Sequence, residues 1–259
     1  MPAARRSKAP AGSGDLAALA RPAAGLCWRV VEGQHHVSTL ALVDSLAEQQ
    51  RLEELLEATK PPLPPECRGL DYLLATPFRY RPYPAGSRFR RAGATPGVFY
   101  AAAEVETAIA EAAFYRLLFF AESPATPFPQ NASEHTAFSV RYAAGKAIDL
   151  TRPPLARQRR RWMHPVDYAP CQKLAERARD AGIELIRYAS VRDPAHRANL
   201  ALLTCAAFKS KAPLQRQSWR IRVGSSGIQV LRDFPRLSLD FGRAAFAADP
   251  RLKGFNWAR

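Results

Sequence analysis

The sequence has few cysteines, no glycine-rich nucleotide-binding loop and no long apolar run. Its four cysteines lie far apart without a C-x-x-C pair, and with the five histidines they give no zinc-type spacing. We therefore predict free thiols in a reducing compartment and no metal site. The absence of G-x-G-x-x-G, of a P-loop and of G-x-S-x-G excludes the Rossmann, Walker-type and α/β-hydrolase classes.

Membrane and export signals are also lacking. No run of about 18 apolar residues occurs, since Arg116 interrupts the most apolar segment. Arg5 and Arg6 are followed by alanine, proline, glycine and serine, which is not the apolar core of a signal peptide. We expect a soluble cytoplasmic protein with no membrane partner.

Acidic residues are scarce relative to basic ones: 23 Asp and Glu stand against 38 Lys and Arg, for a net charge of +15. Such a surplus attracts nucleic acid, an acidic protein or phosphorylated small molecules, and does not choose among them. The cluster Arg157–Arg161 next to Trp162 is typical of a nucleic-acid patch, although the flanking prolines are equally consistent with an exposed loop.

The overall composition is that of a globular chain, with 47% hydrophobic and 10% aromatic residues. Residues 1–24 are rich in Ala, Pro, Gly and Arg and predict a flexible basic arm. Residues 25–241 predict one domain, and 242–259 a C-terminal tail. Strands and helices mix without regular βαβ alternation, which indicates an α+β fold.

Hydrophobic periodicity places the main elements. It predicts a helix within residues 39–58 packed on its leucine face, a strand at Gly97–Tyr100 followed by a helix over Glu104–Phe120, and a helix over Pro170–Ala181 ended by Gly182. Further strands are predicted at residues 26–31, 138–142, 147–150, 183–188, 199–208 and 236–241, and a hairpin at 218–233.

Glu111 is the most informative single residue. On the predicted helix it shares a face with Ala108, Tyr115 and Leu118, so a carboxylate lies on a mainly apolar stripe. A lone glutamate on a helix is more often solvated. A carboxylate in a partly closed apolar site can instead stabilise an oxocarbenium-like centre or hold a ribose hydroxyl.

Four further residues lie at or near the ends of predicted elements: Arg29, Arg88, Tyr100 and Ser190. Arginines pair with phosphates through planar hydrogen bonds, and a tyrosine offers a ring and a hydroxyl. With Glu111 the set suits cleavage of a glycosidic bond in a phosphate-bearing nucleotide. Each residue is also consistent with a purely structural role, in an ion pair, in the hydrophobic core or in a turn. Arg90 is an alternative to Arg88 as the arginine that faces the site.

The sequence resembles the RES-domain family, toxins of bacterial toxin–antitoxin modules named for an arginine, a glutamate and a serine. The landmarks are C-W-R at residues 27–29, G-S-R-F-R at 86–90, G-V-F-Y-A-A-A-E-V-E-T-A-I-A-E at 97–111, and I-R-Y-A-S-V-R at 186–192 with Asn199 after it. The chain departs from the family in having G-S-R-F-R where G-G-R-W-N is frequent, and Val30 where an aromatic is frequent.

The resemblance implies a single mixed α/β domain similar to ADP-ribosyltransferases, with small twisted sheets and flanking helices. It implies an enzyme that cleaves the nicotinamide–ribose bond of NAD, with phosphate as acceptor, and so arrests growth. NAD is then a substrate, with no cofactor and no metal. Glu111, Arg88 and Tyr100 would be catalytic, and Arg29, Ser190 and Asn199 would bind substrate.

The implied protein partner is a cognate antitoxin of helix-turn-helix type, while homodimerisation stays open. The alternatives are an ADP-ribosyltransferase that modifies a protein and, from a different class, a basic non-enzymatic nucleic-acid-binding protein. Direct nucleic-acid binding is not expected under the preferred hypothesis.

Overall fold

The computed structural model describes residues 16–33, 42–79, 86–93 and 96–258. In chain order the elements are α1 (Leu16–Leu19), β1 (Arg21–Glu32), α2 (Leu46–Thr59), α3 (Tyr72–Arg79), β2 (Phe99–Ala102), α4 (Val105–Glu122), β3 (Ser133–Asp149), α5 (Arg159–Trp162), α6 (Ala169–Asp180), β4 (Leu185–Ala189), β5 (Ala198–Leu202), β6 (Gln215–Gly224), β7 (Gly227–Arg232) and β8 (Leu237–Gly242).

The strands of this part of the chain join in one eight-stranded sheet of order β1-β2-β5-β4-β3-β6-β7-β8. Strand β3 also pairs with β1, so the first five strands close into a ring. Strand β3 is 17 residues long and pairs with β1 over residues 135–147, with β6 over 133–139 and with β4 over 147–149. The α+β class is confirmed, although the strands form one continuous sheet and not several small ones.

Helix α4 is the central helix of the fold. Val105, Ile109, Phe114 and Leu117 are buried and pack with strands β6–β8, because α4 is apolar on most of its circumference. On the other side of the sheet, α6 buries Cys171, Leu174 and Ala178 against β4 and β5. Between these layers the inner residues of the ring form a third apolar cluster.

Both predicted domain boundaries differ from the structure. Strand β1 begins at Arg21 and the buried Leu16 precedes it, so the predicted arm 1–24 overlaps the fold; residues 1–15 lie outside the described residues. The predicted tail 242–259 packs on the domain, because Phe246 joins the α4 core and Asp249 is buried in an ion pair. Neither apolar nor charge patterning over a few residues reveals such docking.

The prediction that the helix within 39–58 packs on its leucines is wrong for the described part of that helix. No residue of α2 is buried, and Leu46, Leu55 and Leu56 are 76%, 51% and 46% exposed. Ser45 caps the helix and Pro61 follows its end, so local signals and not a core set its bounds. Residues 39–41 lie outside the described residues.

The strand predictions are confirmed in part. The hairpin is confirmed, with Val223 opposite Ile228 and Gly224 opposite Gly227. The two strands predicted at 138–142 and 147–150 are instead one strand, β3, and the strand predicted over 199–208 stops at Leu202. Pairing with β1, more than 100 residues earlier in the chain, keeps Ala143–Lys146 extended within β3.

Cys67 and Cys205 form a disulfide, which corrects the prediction that all four cysteines are free thiols; Cys27 and Cys171 are free and buried. The bridge spans 138 residues and joins the segment before α3 to the turn after β5. The spacing of the two cysteines in the sequence gives no sign that their Cα atoms lie 5.8 Å apart.

Replacing both bridged cysteines by serine is expected to lower the free energy of unfolding by about 2–4 kcal/mol, because the unfolded chain regains the freedom of a long loop. Urea unfolding with and without reductant measures this effect. Reductant should destabilise the native chain and leave the double variant unchanged. Equal sensitivity of the two proteins to reductant would contradict the assignment of the bridge.

Candidate active site

Neighbouring strands bring the predicted site residues together. Trp28 on β1 lies opposite Ala102 on β2, Ala102 lies opposite Asn199 on β5, and Asn199 lies opposite Tyr188 on β4. Arg29, Tyr100, Asn199 and Ser190 belong to these same strands or directly follow them. Helix α4 follows β2 after a short turn and places Glu111 beside them.

Two side chains hold the Glu111 carboxylate. Ser190 Oγ and Asn199 Nδ2 each lie 2.6 Å from the same oxygen, Oε1. Both groups donate, because an ionised carboxylate only accepts hydrogen bonds. Among the described residues Oε2 has no hydrogen-bond partner, and Glu111 lines a cavity at this site. The carboxylate is thus fixed through one oxygen and available through the other.

Ser190 lies behind Glu111 and is fully buried. Its Oγ accepts hydrogen bonds from the backbone N–H groups of Arg192 at 3.1 Å and Asp193 at 2.9 Å. The hydroxyl proton is therefore directed at Glu111. The prediction that Ser190 hydrogen-bonds the nucleotide does not fit this geometry, since the hydroxyl is used in orienting Glu111.

The loop after Ser190 is fixed to the start of α4. Asp193 is buried, accepts a hydrogen bond from Thr107 Oγ1 at 2.8 Å and pairs with Arg197 at 2.6 Å. Arg197 also reaches Glu104, the residue that precedes α4, at 3.1 Å. Burial disfavours the Asp193 carboxylate, but the hydrogen bonds from Arg197 and Thr107 outweigh it and lower its pKa. These ties fix the distance between Ser190 and Glu111.

Asn199 carries an unused acceptor. Its Oδ1 atom is buried and has no hydrogen-bond partner in the described part of the chain, while its Nδ2 donates to Glu111. A buried carbonyl oxygen left unpaired costs free energy. Asn199 lines the cavity and orients Glu111 through its amide nitrogen, and its predicted contact with substrate stays a prediction.

Arg88 lines the cavity, and Arg90 is not among the lining residues. The Nη1 atom of Arg88 donates to the backbone carbonyls of Trp162 at 2.7 Å and His164 at 3.1 Å. The Arg88 guanidinium lies 4.6 Å from the centre of the Tyr168 ring. Burial disfavours the cation, but nearby groups, with Tyr188 foremost, outweigh it and raise the pKa of Arg88. The side chain is a fixed cation at any physiological pH.

Tyr100 supports the turn that carries Arg88. Its hydroxyl lies 2.8 Å from Ser87 Oγ and accepts from the Phe89 backbone N–H at 2.9 Å, and burial raises its pKa. Tyr100 also lines the cavity, while its hydroxyl is used in hydrogen bonds within the chain; its predicted contact with substrate stays a prediction.

Arg29 is held against β2. Its Nη1 donates to the Tyr100 carbonyl at 2.9 Å, and its guanidinium lies 5.0 Å from the Phe99 ring centre. It lines the cavity on the β1 side. The carbonyl of Tyr100 and the Phe99 ring thus hold the Arg29 guanidinium at the wall of the cavity.

The cavity has a volume of about 550 Å³, within the range of small-molecule sites. Several lining residues were not predicted from the sequence: Trp28, Glu32, Tyr115, Arg116, Phe119, His135, Tyr168, Tyr188 and Arg192. Trp28, Tyr188 and Arg192 lie inside the quoted motifs, so their positions beside Arg29 and Ser190 could have identified them. The others lie outside those motifs.

Metal and membrane features were searched in the same described ranges. No group of three His, Cys, Asp or Glu side chains there is placed to hold a metal ion. No helix in those ranges is both long and apolar enough to cross a membrane.

Comparisons with known proteins are consistent with the motifs. No curated protein sequence matches the chain. A solved structure, the M. tuberculosis MbcT–MbcA toxin–antitoxin complex, contains a chain that is similar with a TM-score of 0.44 and 11% identity, covering 79% of this chain and 91% of that one. Residues 63–223, more than half of the sequence and including Arg88, Tyr100, Glu111, Ser190 and Asn199, match the RES domain. The chain belongs to the RES domain family.

Proposed function

We propose that this protein is the toxin of a toxin–antitoxin module and that it degrades NAD by cleaving the nicotinamide–ribose bond with phosphate as acceptor. One observation carries the proposal: Glu111, fixed through Oε1 by Ser190 and Asn199, presents its second oxygen to a cavity lined by arginines and aromatic rings. Membership of the RES family supports the same function.

In the proposed reaction the C–N bond between ribose C1′ and nicotinamide breaks, and its electron pair leaves with the ring, which becomes neutral. Positive charge develops on the ribose, where the Glu111 carboxylate stabilises it. A phosphate oxygen then bonds to C1′, and the products are nicotinamide and ADP-ribose phosphate. Asn199 lines the same cavity and holds the Glu111 carboxylate in place through its amide nitrogen.

Arg29 and Arg88 bind different anionic groups in this proposal. Arg88 and Arg29 lie on different elements and are each fixed by backbone carbonyls, so they bind anionic groups without rearranging. One would take the pyrophosphate of NAD and the other the acceptor phosphate. The Tyr168 and Tyr188 rings offer apolar surface for a nucleotide base.

Incubation of the purified protein with NAD, in the presence and in the absence of inorganic phosphate, tests the reaction by chromatography. We expect nicotinamide release that requires phosphate, with ADP-ribose phosphate formed in equal amount. Free ADP-ribose formed equally well without phosphate would establish hydrolysis instead. Unchanged NAD under all conditions, with folded protein, would overturn the proposed activity.

Transfer of ADP-ribose to a protein is the second candidate, since it breaks the same nicotinamide–ribose bond and differs only in the acceptor. Incubation with labelled NAD and cell lysate distinguishes it, because a labelled protein band appears only for transfer.

In cells, induction of the protein is expected to lower the NAD concentration before growth stops. A small helix-turn-helix protein encoded beside the gene is the expected antitoxin, and its co-expression should restore both NAD and growth.

A further inference from the structure

The segment Arg157–Arg161 forms a second feature of the surface, separate from the Glu111 cavity. It consists of a 3-10 turn over Leu155–Gln158 that continues into α5. The four arginines at 157, 159, 160 and 161 are exposed and surround a shallow concavity of about 740 Å³. None of these four arginines lines the Glu111 cavity.

No carboxylate neutralises this cluster within the described ranges. Arg161 donates to the neutral Gln158 Oε1 at 3.3 Å, and the four arginines make no ion pair there. Four cations within about one helical turn repel one another, and solvent and salt only partly screen that repulsion. An anion that contacts several of these arginines together would relieve that repulsion.

The cluster is held firmly in place. Trp162 is buried at its end, and the Trp162 indole N–H donates to the Leu155 carbonyl at 2.8 Å. The Trp162 carbonyl in turn accepts from Arg88 at 2.7 Å, which anchors the segment to the domain. The arginines consequently extend from a rigid turn, so binding an anion costs only the ordering of their side chains.

We propose that Arg157–Arg161 is a docking surface for the phosphate backbone of nucleic acid, bound without regard to base sequence. Guanidinium groups pair well with phosphates, and a nucleic acid strand supplies phosphates in a closely spaced row that one turn of arginines can contact. The net charge of +15 adds a long-range attraction that is strongest for such a dense polyanion. This inference does not rest on the NAD-cleaving activity.

Salt-dependent binding of the full chain to a labelled duplex of about 20 base pairs tests the surface, measured by fluorescence anisotropy between about 50 and 300 mM salt. We expect a dissociation constant of roughly 10⁻⁴–10⁻⁶ M near physiological salt. The logarithm of the association constant should fall linearly with the logarithm of the salt concentration. Substituting all four arginines by glutamine should make the slope less negative by about 3. The matched variant with four lysines should keep the slope of the native chain.

A second control separates a local surface from general charge. Glutamine at four other exposed arginines, Arg216, Arg222, Arg236 and Arg243, removes the same net charge elsewhere. It should change the slope by less than about 1. The proposal would be overturned if both glutamine variants changed the salt slope equally. It would also be overturned if the native chain bound no duplex, or bound polyglutamate in place of DNA. The melting temperature of the glutamine variant, measured in parallel, reports that it is folded.

Discussion

Replacing Glu111 by glutamine is expected to lower the rate of nicotinamide release at least about 100-fold, because the developing positive charge on the ribose loses its counter-charge. The substitution isolates that charge. The glutamine carbonyl oxygen can still accept from Ser190 Oγ and Asn199 Nδ2, which both lie 2.6 Å from Oε1. The fold and the cavity should therefore be preserved, and the melting temperature should change little.

Glu111→Ala tests the role of the charge less specifically, because it also removes a hydrogen-bond acceptor. It would leave the Ser190 hydroxyl and the Asn199 amide without their acceptor, which costs about 1–3 kcal/mol of stability for a buried group. Glu122→Gln is the matched control, since it removes an exposed carboxylate at the end of the same helix. Its activity should equal that of the native protein. Near-native activity of Glu111→Gln would exclude the electrostatic role.

In cells the same pair of variants separates toxicity from misfolding. Induced Glu111→Gln should accumulate to native levels without lowering NAD or stopping growth, whereas Glu122→Gln should do both. Growth arrest by Glu111→Gln at unchanged NAD would show that toxicity has another origin.

The position of Glu111 could be predicted because its signals are local. The run from Gly97 to Phe120 contains a strand, a turn and a helix within one stretch, and the helical spacing alone puts the carboxylate on an apolar face. The partners of Glu111 could not be predicted this way. Ser190 and Asn199 are 79 and 88 residues away in the chain, and only the pairing of β4 with β5 aligns them with α4.

The same difference between local signals and distant partners explains why some hydroxyl groups have partners other than those predicted. Tyr100 and Ser190 were expected to contact substrate, yet the hydroxyl of Tyr100 supports the Arg88 turn and that of Ser190 orients Glu111. A sequence shows which residues carry hydroxyls, but the direction of each hydrogen bond depends on neighbours from distant segments. The exposed leucines of α2 are the converse case, because periodicity indicates an apolar face without indicating whether anything covers it.

The second large effect is expected at Asp249, which lies beyond the residues that match the RES domain. Asp249 is 2% exposed and pairs with Arg192, itself 5% exposed, at 2.6 Å. Arg192 lies 3.9 Å from the centre of the Phe114 ring, lines the cavity, and donates its backbone N–H to Ser190 Oγ. Through this arginine the C-terminal segment supports the residue that orients Glu111.

Asp249→Ala leaves the Arg192 guanidinium buried without its carboxylate and is expected to destabilise the protein by about 3–5 kcal/mol. Urea unfolding near neutral pH measures this loss, and Asp240→Ala, an exposed aspartate on β8, should stay within about 0.5 kcal/mol of the native protein. Comparable effects of the two substitutions would contradict a buried ion pair.

The pH dependence of stability provides an independent readout of the same pair. Burial disfavours the charged carboxylate, but hydrogen bonds from Arg251 and the charge of Arg192 outweigh it and hold the pKa of Asp249 below its ordinary value. A depressed pKa contributes stability that is complete above the unfolded-state value of about 3.9 and is lost as the pH falls through the folded-state value. The difference in unfolding free energy between the native protein and Asp249→Asn should therefore be constant near neutral pH and shrink below about pH 4. A difference that stays unchanged in acid would mean that the Asp249 carboxylate contributes through packing alone, so that the C-terminal segment would support Arg192 by shape and not by charge.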